Sequence, residues 1–327
     1  MTAPHQAQKL QFHGTGGTLL GIALVNALLS IVTLGIYSFW AKTKVRQFWY
    51  SQTELAGDRF SYRGTGKELL IGSLKAFGVL FALYVVVVVL MVVTGGPADP
   101  NAPPSGTEVA ISLLLPLAIF LLLPIAINGA RRYRLSRSSW RGIRFSFRGR
   151  WQDYLQLVVK GVLLSIVTLS LYLPWFQNHS RAFLVNHARF GSLPFTYEAD
   201  GKDLFIAYLK ALVLTLPTLG LSWVWYAAFR HRYFWSNSAI AGAQLSSTVT
   251  GGGLLVLSVT NVALVLFTLG IGTPWAMTRA MNYFCDNIAL EGELDWSTVH
   301  QDATLPSATG EGLAESLDLD VDVGLGI

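Results

Sequence analysis

Thr33-Leu-Gly-Ile-Tyr-Ser-Phe-Trp40 decides how this chain is read, because it comes back. Thr-Leu-Gly or Thr-Leu-Ser begins again at Thr168, Thr218 and Thr268, and these three lie 50 residues apart. Seven residues on from each threonine stands a tryptophan: Trp40, Trp175, Trp225 and Trp275. Fifteen on comes Phe48, Phe183, Tyr233 or Tyr283, and at 23 or 24 comes Gly57, Gly191, Gly242 or Gly292. A fifth copy lacks the threonine and tryptophan but keeps Pro124, Tyr133, Gly142 and Phe145 in the same register. Matches at several fixed offsets point to internal duplication of a unit of ~50 residues.

Each unit reads the same way. A glycine-rich turn such as Gly14-Thr-Gly-Gly or Gly64-Thr-Gly-Lys opens it, and an apolar helix, the Thr-Leu-Gly step and the tryptophan follow. A basic stretch then leads to an alternating segment, Phe60-Ser-Tyr62, Phe145-Ser-Phe147 or Phe195-Thr-Tyr197, which carries a strand signal. The units fall near residues 12–62, 63–147, 148–197, 198–247 and 248–297, preceded by a polar segment over 1–11 and followed by an acidic tail over 298–327. The tail has no periodicity and reads as disordered. The second unit is longer, the excess being a further crossing plus the irregular loop Thr94–Glu108.

Composition places the chain in a membrane. Of its 327 residues, 52% are hydrophobic and 13% are charged, against ~25% charged in an ordinary soluble domain. The apolar residues gather in blocks: Thr18–Trp40, Leu69–Val93, Val109–Asn128, Leu155–Phe176, Leu204–Ala228 and Leu254–Ala276. A bilayer crossing takes ~20 helical residues. The expectation is therefore an all-α integral membrane protein of about six transmembrane helices in tandem units, with short strand-like connectors. A competing arrangement, in which the Thr-Leu-Gly steps with Pro174, Pro217 and Pro274 nearby break the helices into re-entrant hairpins, is disfavoured because each block has the length of one span.

Charge sets orientation. The junction after the first block carries Lys42, Lys44, Arg46, Arg59, Arg63 and Lys67; the one after the third carries Arg131, Arg132, Arg134, Arg137, Arg141, Arg144, Arg148 and Arg150. Basic loops stay cytoplasmic, which puts junctions 41–68 and 129–154 inside and the loop 94–108 outside. No apolar leader precedes Thr18, and the single cysteine, Cys285, excludes an intramolecular disulfide.

Candidate site residues come from one recurring position. Lys75, Lys160 and Lys210 occupy one register inside the apolar blocks, and Asn26 and Asn261 lie seven before Thr33 and Thr268. Charge at membrane depth is costly, so these residues either hold an anionic headgroup or solute, or the lysines snorkel to the interface while the asparagines pack helices. Trp40, Trp175, Trp225 and Trp275 read as interfacial anchors. Gly64-Thr-Gly-Lys67 lacks the first glycine and the Ser/Thr of a P-loop, and no zinc-ligand spacing or nucleophile–base set is present. The chain therefore reads as a non-enzyme with no cofactor and no metal. Its expected partners are the lipid bilayer and its anionic lipids, with no nucleic acid.

The string Phe12-His-Gly-Thr-Gly, Thr33-Leu-Gly-Ile-Tyr-Ser-Phe-Trp-Ala-Lys-Thr-Lys-Val-Arg and Gly57-Asp-Arg-Phe-Ser-Tyr-Arg-Gly-Thr-Gly66 resembles the bacterial inner-membrane family typified by YjgN, a domain of unknown function. The likeness runs over residues 12–297 and is strongest in the first unit. It implies a polytopic inner-membrane protein and brings no activity or functional residue with it. Two functions are open at this point: transport-like handling of a small anionic solute or lipid headgroup, by analogy with repeat-built transporters, and a structural or assembly role in which the polar positions only pack helices.

Overall fold

The computed structural model describes residues 7–94, 105–292 and 299–301. The acidic tail beyond 301, the N-terminal residues 1–6 and most of the loop 94–108 lie outside the described residues. After β1 (Gln8–Phe12), the order helix, helix, strand, strand recurs. It runs α1 (Gly16–Val32), α2 (Ser38–Gln52), β2 (Thr53–Leu55), β3 (Asp58–Tyr62); then α3 (Gly66–Val93), α4 (Gly106–Arg137), β4 (Ser138–Trp140), β5 (Ile143–Phe147). Next come α5 (Trp151–Val167), α6 (Leu173–Asn186), β6 (Ala188–Phe190), β7 (Leu193–Tyr197), then α7 (Lys202–Leu214), α8 (Ser222–Ser236), β8 (Ser238–Ile240), β9 (Ala243–Ser247). The last round is α9 (Gly251–Phe267), α10 (Thr273–Asp286) and β10 (Ile288–Glu291).

The Thr-Leu-Gly step is a reversal, not a position within a crossing. Thr33 Oγ1 donates to the Leu29 carbonyl (2.7 Å) and accepts the Tyr37 N–H (2.9 Å). Leu34 and Gly35 take positive φ, and the Gly35 N–H closes on Ser30 O (2.7 Å). Thr168, Thr218 and Thr268 make the same pair of bonds to the residues four before and four after. One hydroxyl thus satisfies a carbonyl at the end of one helix and an N–H at the start of the next. Backbone can reverse at membrane depth only where its polar groups are satisfied in this way. Pro174 and Pro274 then sit in the first turn of α6 and α10, where a missing N–H costs nothing.

These reversals overturn the all-α, six-crossing expectation. Each short block is one helix and the start of the next, folded at the threonine, and counting residues across the fold gives the length of one span. With 17 residues, α1 is ~26 Å long, short of a hydrocarbon core of ~30 Å. Among the described residues only α3 and α4, with 28 and 32 residues, are long and apolar enough to cross. The tip leucines Leu34, Leu169, Leu219 and Leu269 are 94%, 88%, 94% and 92% exposed. Apolar residues this bare at four equivalent tips fit immersion in lipid.

The strand-like connectors make up the other half of the correction. They pair antiparallel into a closed barrel in the order β1-β10-β9-β8-β7-β6-β5-β4-β3-β2, with β1 sealing the ring against β10. Closure removes every sheet edge, which is what lets strands of three to five residues persist. Two-residue turns join several hairpins, and Ala56-Gly57, Arg141-Gly142 and Ala241-Gly242 take the positive φ that such turns need. Leu55, Trp140, Phe190, Ile240 and Leu290 from the first strands meet Leu10, Phe60, Phe145, Phe195 and Leu245 inside the barrel. Val299 adds to this core from beyond β10, and Gln301 Oε1 accepts the Arg144 N–H.

Glycine against tryptophan joins neighbouring units. A Cβ on Gly66 would stand 2.5 Å from Trp40 Cγ, one on Gly251 2.5 Å from Trp225 Cδ1, and one on Gly16 2.4 Å from Trp275 Cδ1. The last contact closes the ring of helices as β1–β10 closes the barrel. At the one junction where the tryptophan is replaced, by Ile125, the opening glycine is also replaced, by Trp151.

A candidate anion site on the barrel axis

The second helix of each round runs directly into a barrel strand, so its inward face continues the barrel axis. Two residues before Phe48, Tyr133, Phe183, Tyr233 and Tyr283 stand Arg46, Arg131, Arg181, His231 and Met281. Four residues further, one helical turn toward the barrel, stand Tyr50, Leu135, Val185, Trp235 and Cys285, of which all but Tyr50 are buried.

Arg181 is the best-defined member. It lines an interior cavity of about 60 Å³ together with Val185, Trp235, Ser238 and the barrel residues. Its guanidinium carbon lies 5.6 Å from the centre of the Trp235 ring and 5.8 Å from that of Phe234. Nε is shielded from solvent and has no hydrogen-bond partner among the described residues, and no carboxylate pairs with the group there. Burial lowers its pKa to about 10, which leaves it charged at neutral pH. The helix beneath it is fixed: the Tyr197 hydroxyl donates to Asn178 Oδ1 (2.6 Å), and the Tyr197 N–H donates to Asn186 Oδ1 (2.6 Å). These bonds tie α6 to β7.

The neighbouring positions converge on the same place. The charges of Arg131 and Arg181 act on one another, and Arg181 also acts on His231. Burial, then Arg181, Arg230 and Arg232, pushes the His231 pKa down to about 4, so the imidazole is neutral at pH 7. Its Nδ1 lies 3.0 Å from Ser247 Oγ. Ion pairs formed by the nearby acids lie elsewhere: Glu68 with Arg137, Asp58 with Arg141, Glu54 with His13. Among the described residues Arg181 is thus a charged group in apolar surroundings, an arrangement that is costly without an anion.

The sequence-derived candidates are placed differently. Lys75, Lys160 and Lys210 each lie nine residues beyond the opening positions Gly66, Trp151 and Gly201, so they share one depth. All three are exposed on the outside of the ring, and none lines the cavity. Asn26 donates to Ala41 O (3.4 Å) and Asn261 to Ala276 O (3.0 Å), each joining the two arms of one hairpin. Trp40, Trp175, Trp225 and Trp275 pack on or near the opening glycines of the following unit. Sequence reasoning takes Arg46 and Arg131 for topology charges and gives Arg181 no role; the signal it passes over is the common offset of the three before the unit's aromatic.

Residues 7–222 and 211–316 match a bacterial protein family of unknown function, DUF898. Inner membrane protein YjgN of Escherichia coli O157:H7 is 38% identical over 136 residues, 42% of this chain and 30% of that protein. Its counterpart in Escherichia coli K12 is 37% identical over the same shares. YjgN of Salmonella typhimurium is 32% identical over 163 residues, 48% of this chain and 37% of that protein. The matches thus span 30 to 37% of the length of these relatives. No solved structure matches the chain.

Proposed function

The chain belongs to the DUF898 family and sits in the bacterial inner membrane, and from that premise we propose that it handles a small anionic solute or lipid headgroup at the arginine-bearing axis between its helix ring and its barrel. The five-fold recurrence is internal duplication on this reading. Every round returns to the barrel side, which faces the cytoplasm because the arginine-rich junctions lie there. Binding is non-catalytic, and transport-like passage is the activity it serves. The observation that carries the reading is Arg181: a charged side chain at an interior cavity, its Nε shielded and unpartnered, with a second arginine beside it.

The test uses the full chain in lipid nanodiscs. Inorganic phosphate and, separately, anionic lipid are titrated while thermal unfolding is followed, for the parent protein and for Arg181→Gln. A ligand that binds only the folded state raises the melting temperature with its concentration. At least one anion should stabilise the parent and lose that effect in the variant. Equal response of both proteins, or none in either, overturns the proposal. The structural alternative draws on Asn26 and Asn261, whose bonds lock hairpin arms without any ligand, and it expects no anion response.

A further inference from the structure

The site's second half is apolar, and that narrows the ligand. Of the described residues around the 60 Å³ cavity, only Arg181 and Ser238 carry a polar side chain apart from the Trp N–H groups. Phe145, Phe190, Trp140 and Trp235 form much of the rest. A sugar phosphate or a hydrated inorganic ion would leave polar atoms against these rings without partners, which is unfavourable. Size narrows the part of the ligand that the cavity can hold. A dry cavity of ~150 Å³ holds benzene, so one of this volume takes on the order of two or three carbons by the same scale. A membrane acyl chain is far too long. The charged end has one place to go, the guanidinium that lines the same cavity and stands over the Phe234 and Trp235 rings. A planar guanidinium matches a planar carboxylate in two parallel hydrogen bonds.

Resting on the anion-binding reading above, we infer that the ligand is a short-chain monocarboxylate, its carboxylate on Arg181 and its two- or three-carbon tail in the barrel cavity. A longer tail would extend past the cavity without gaining burial there, and a shorter one leaves the aromatic walls unfilled.

Isothermal titration of the full chain in nanodiscs decides this, with acetate, propionate, butyrate, hexanoate and inorganic phosphate as probes. The expected result is affinity rising about fourfold per methylene from acetate to butyrate, the scale of burying one such group, and falling at hexanoate. Leu245→Phe narrows the cavity while leaving Arg181 in place; it is expected to abolish the preference for butyrate and keep acetate binding. Arg181→Gln is expected to remove binding of every carboxylate. Folding of each variant is checked by its melting curve, and Arg181→Met, which also removes the charge and is expected to lose all carboxylate binding, stands in if the glutamine variant unfolds. If anions bind through Arg181 with no dependence on chain length, the apolar half of the inference is overturned and the anion site stands. Phosphate bound in preference to every carboxylate likewise overturns the apolar half alone. Absence of any binding overturns both.

Discussion

Arg181 and His231 occupy equivalent positions and resolve the same problem in opposite ways. The guanidinium stays charged inside apolar surroundings, while the imidazole gives up its proton. Met281, at the same position on α10, shows the uncharged solution. Substituting Arg181→Met should therefore raise the melting temperature of the ligand-free protein, because it removes the desolvation cost of a buried charge without a counter-ion. It should also abolish the response to anions, and differential scanning calorimetry with and without ligand reads both effects. His231 predicts a pH dependence. Its folded pKa of about 4 lies below its ordinary value of 6.5, so the unfolded chain binds more protons between these values. Stability is then lost as pH falls from 6.5 toward 4, and His231→Asn should flatten that loss in melting curves taken across the window. Cys285 is buried, and burial pushes its thiol pKa up to about 12. An impermeant maleimide should leave it unmodified until the protein is denatured.

At the scale of elements, the threonine reversal and the glycine–tryptophan seam do most to set the architecture. Thr33→Val removes one acceptor and one donor at the hairpin tip, leaving the Tyr37 N–H without its partner. The cost should be about 1–3 kcal/mol, read as a lower melting temperature in nanodiscs. Gly66→Val places a side chain 2.5 Å from Trp40 and should cost roughly 1–3 kcal/mol through overpacking. The apolar helices, the glycine turns and the Phe-Ser-Tyr strands were all legible in the sequence, because hydrophobic period and turn chemistry are local signals. What those strands do together was not. Strands of three to five residues give no clue that β1 and β10, from opposite ends of the repeat array, pair to close a barrel. The reversal was misread for a related reason. An apolar run says that residues avoid water, and a half-depth hairpin satisfies that as well as one crossing does. The register of Arg46, Arg131 and Arg181 is visible in the recurrence, but a basic stretch beside a membrane has a simpler use in setting topology, and that use covers Arg46 and Arg131.

For the whole molecule, the proposed reading requires asymmetry across the bilayer. The described residues form four short-helix hairpins, one pair of helices long and apolar enough to cross, and ten strands gathered into one barrel. The axial charges then lie where the helix ring meets the barrel, with the aromatic cavity beyond them. Such a site needs every round to return to the same side, so sidedness is the central claim. Sided labelling tests it most directly. In a Cys285→Ser background, single cysteines replace the exposed residues Ser51, Arg148, Asn186, Ser236 and Asp286, and Ser105 at the start of α4 serves as the opposite face. In intact cells an impermeant thiol reagent should label position 105 alone, and the other five only after the inner membrane is permeabilised. Labelling of position 186 or 286 from outside would mean that the later helices cross after all, and that the barrel strands do not share one side of the membrane.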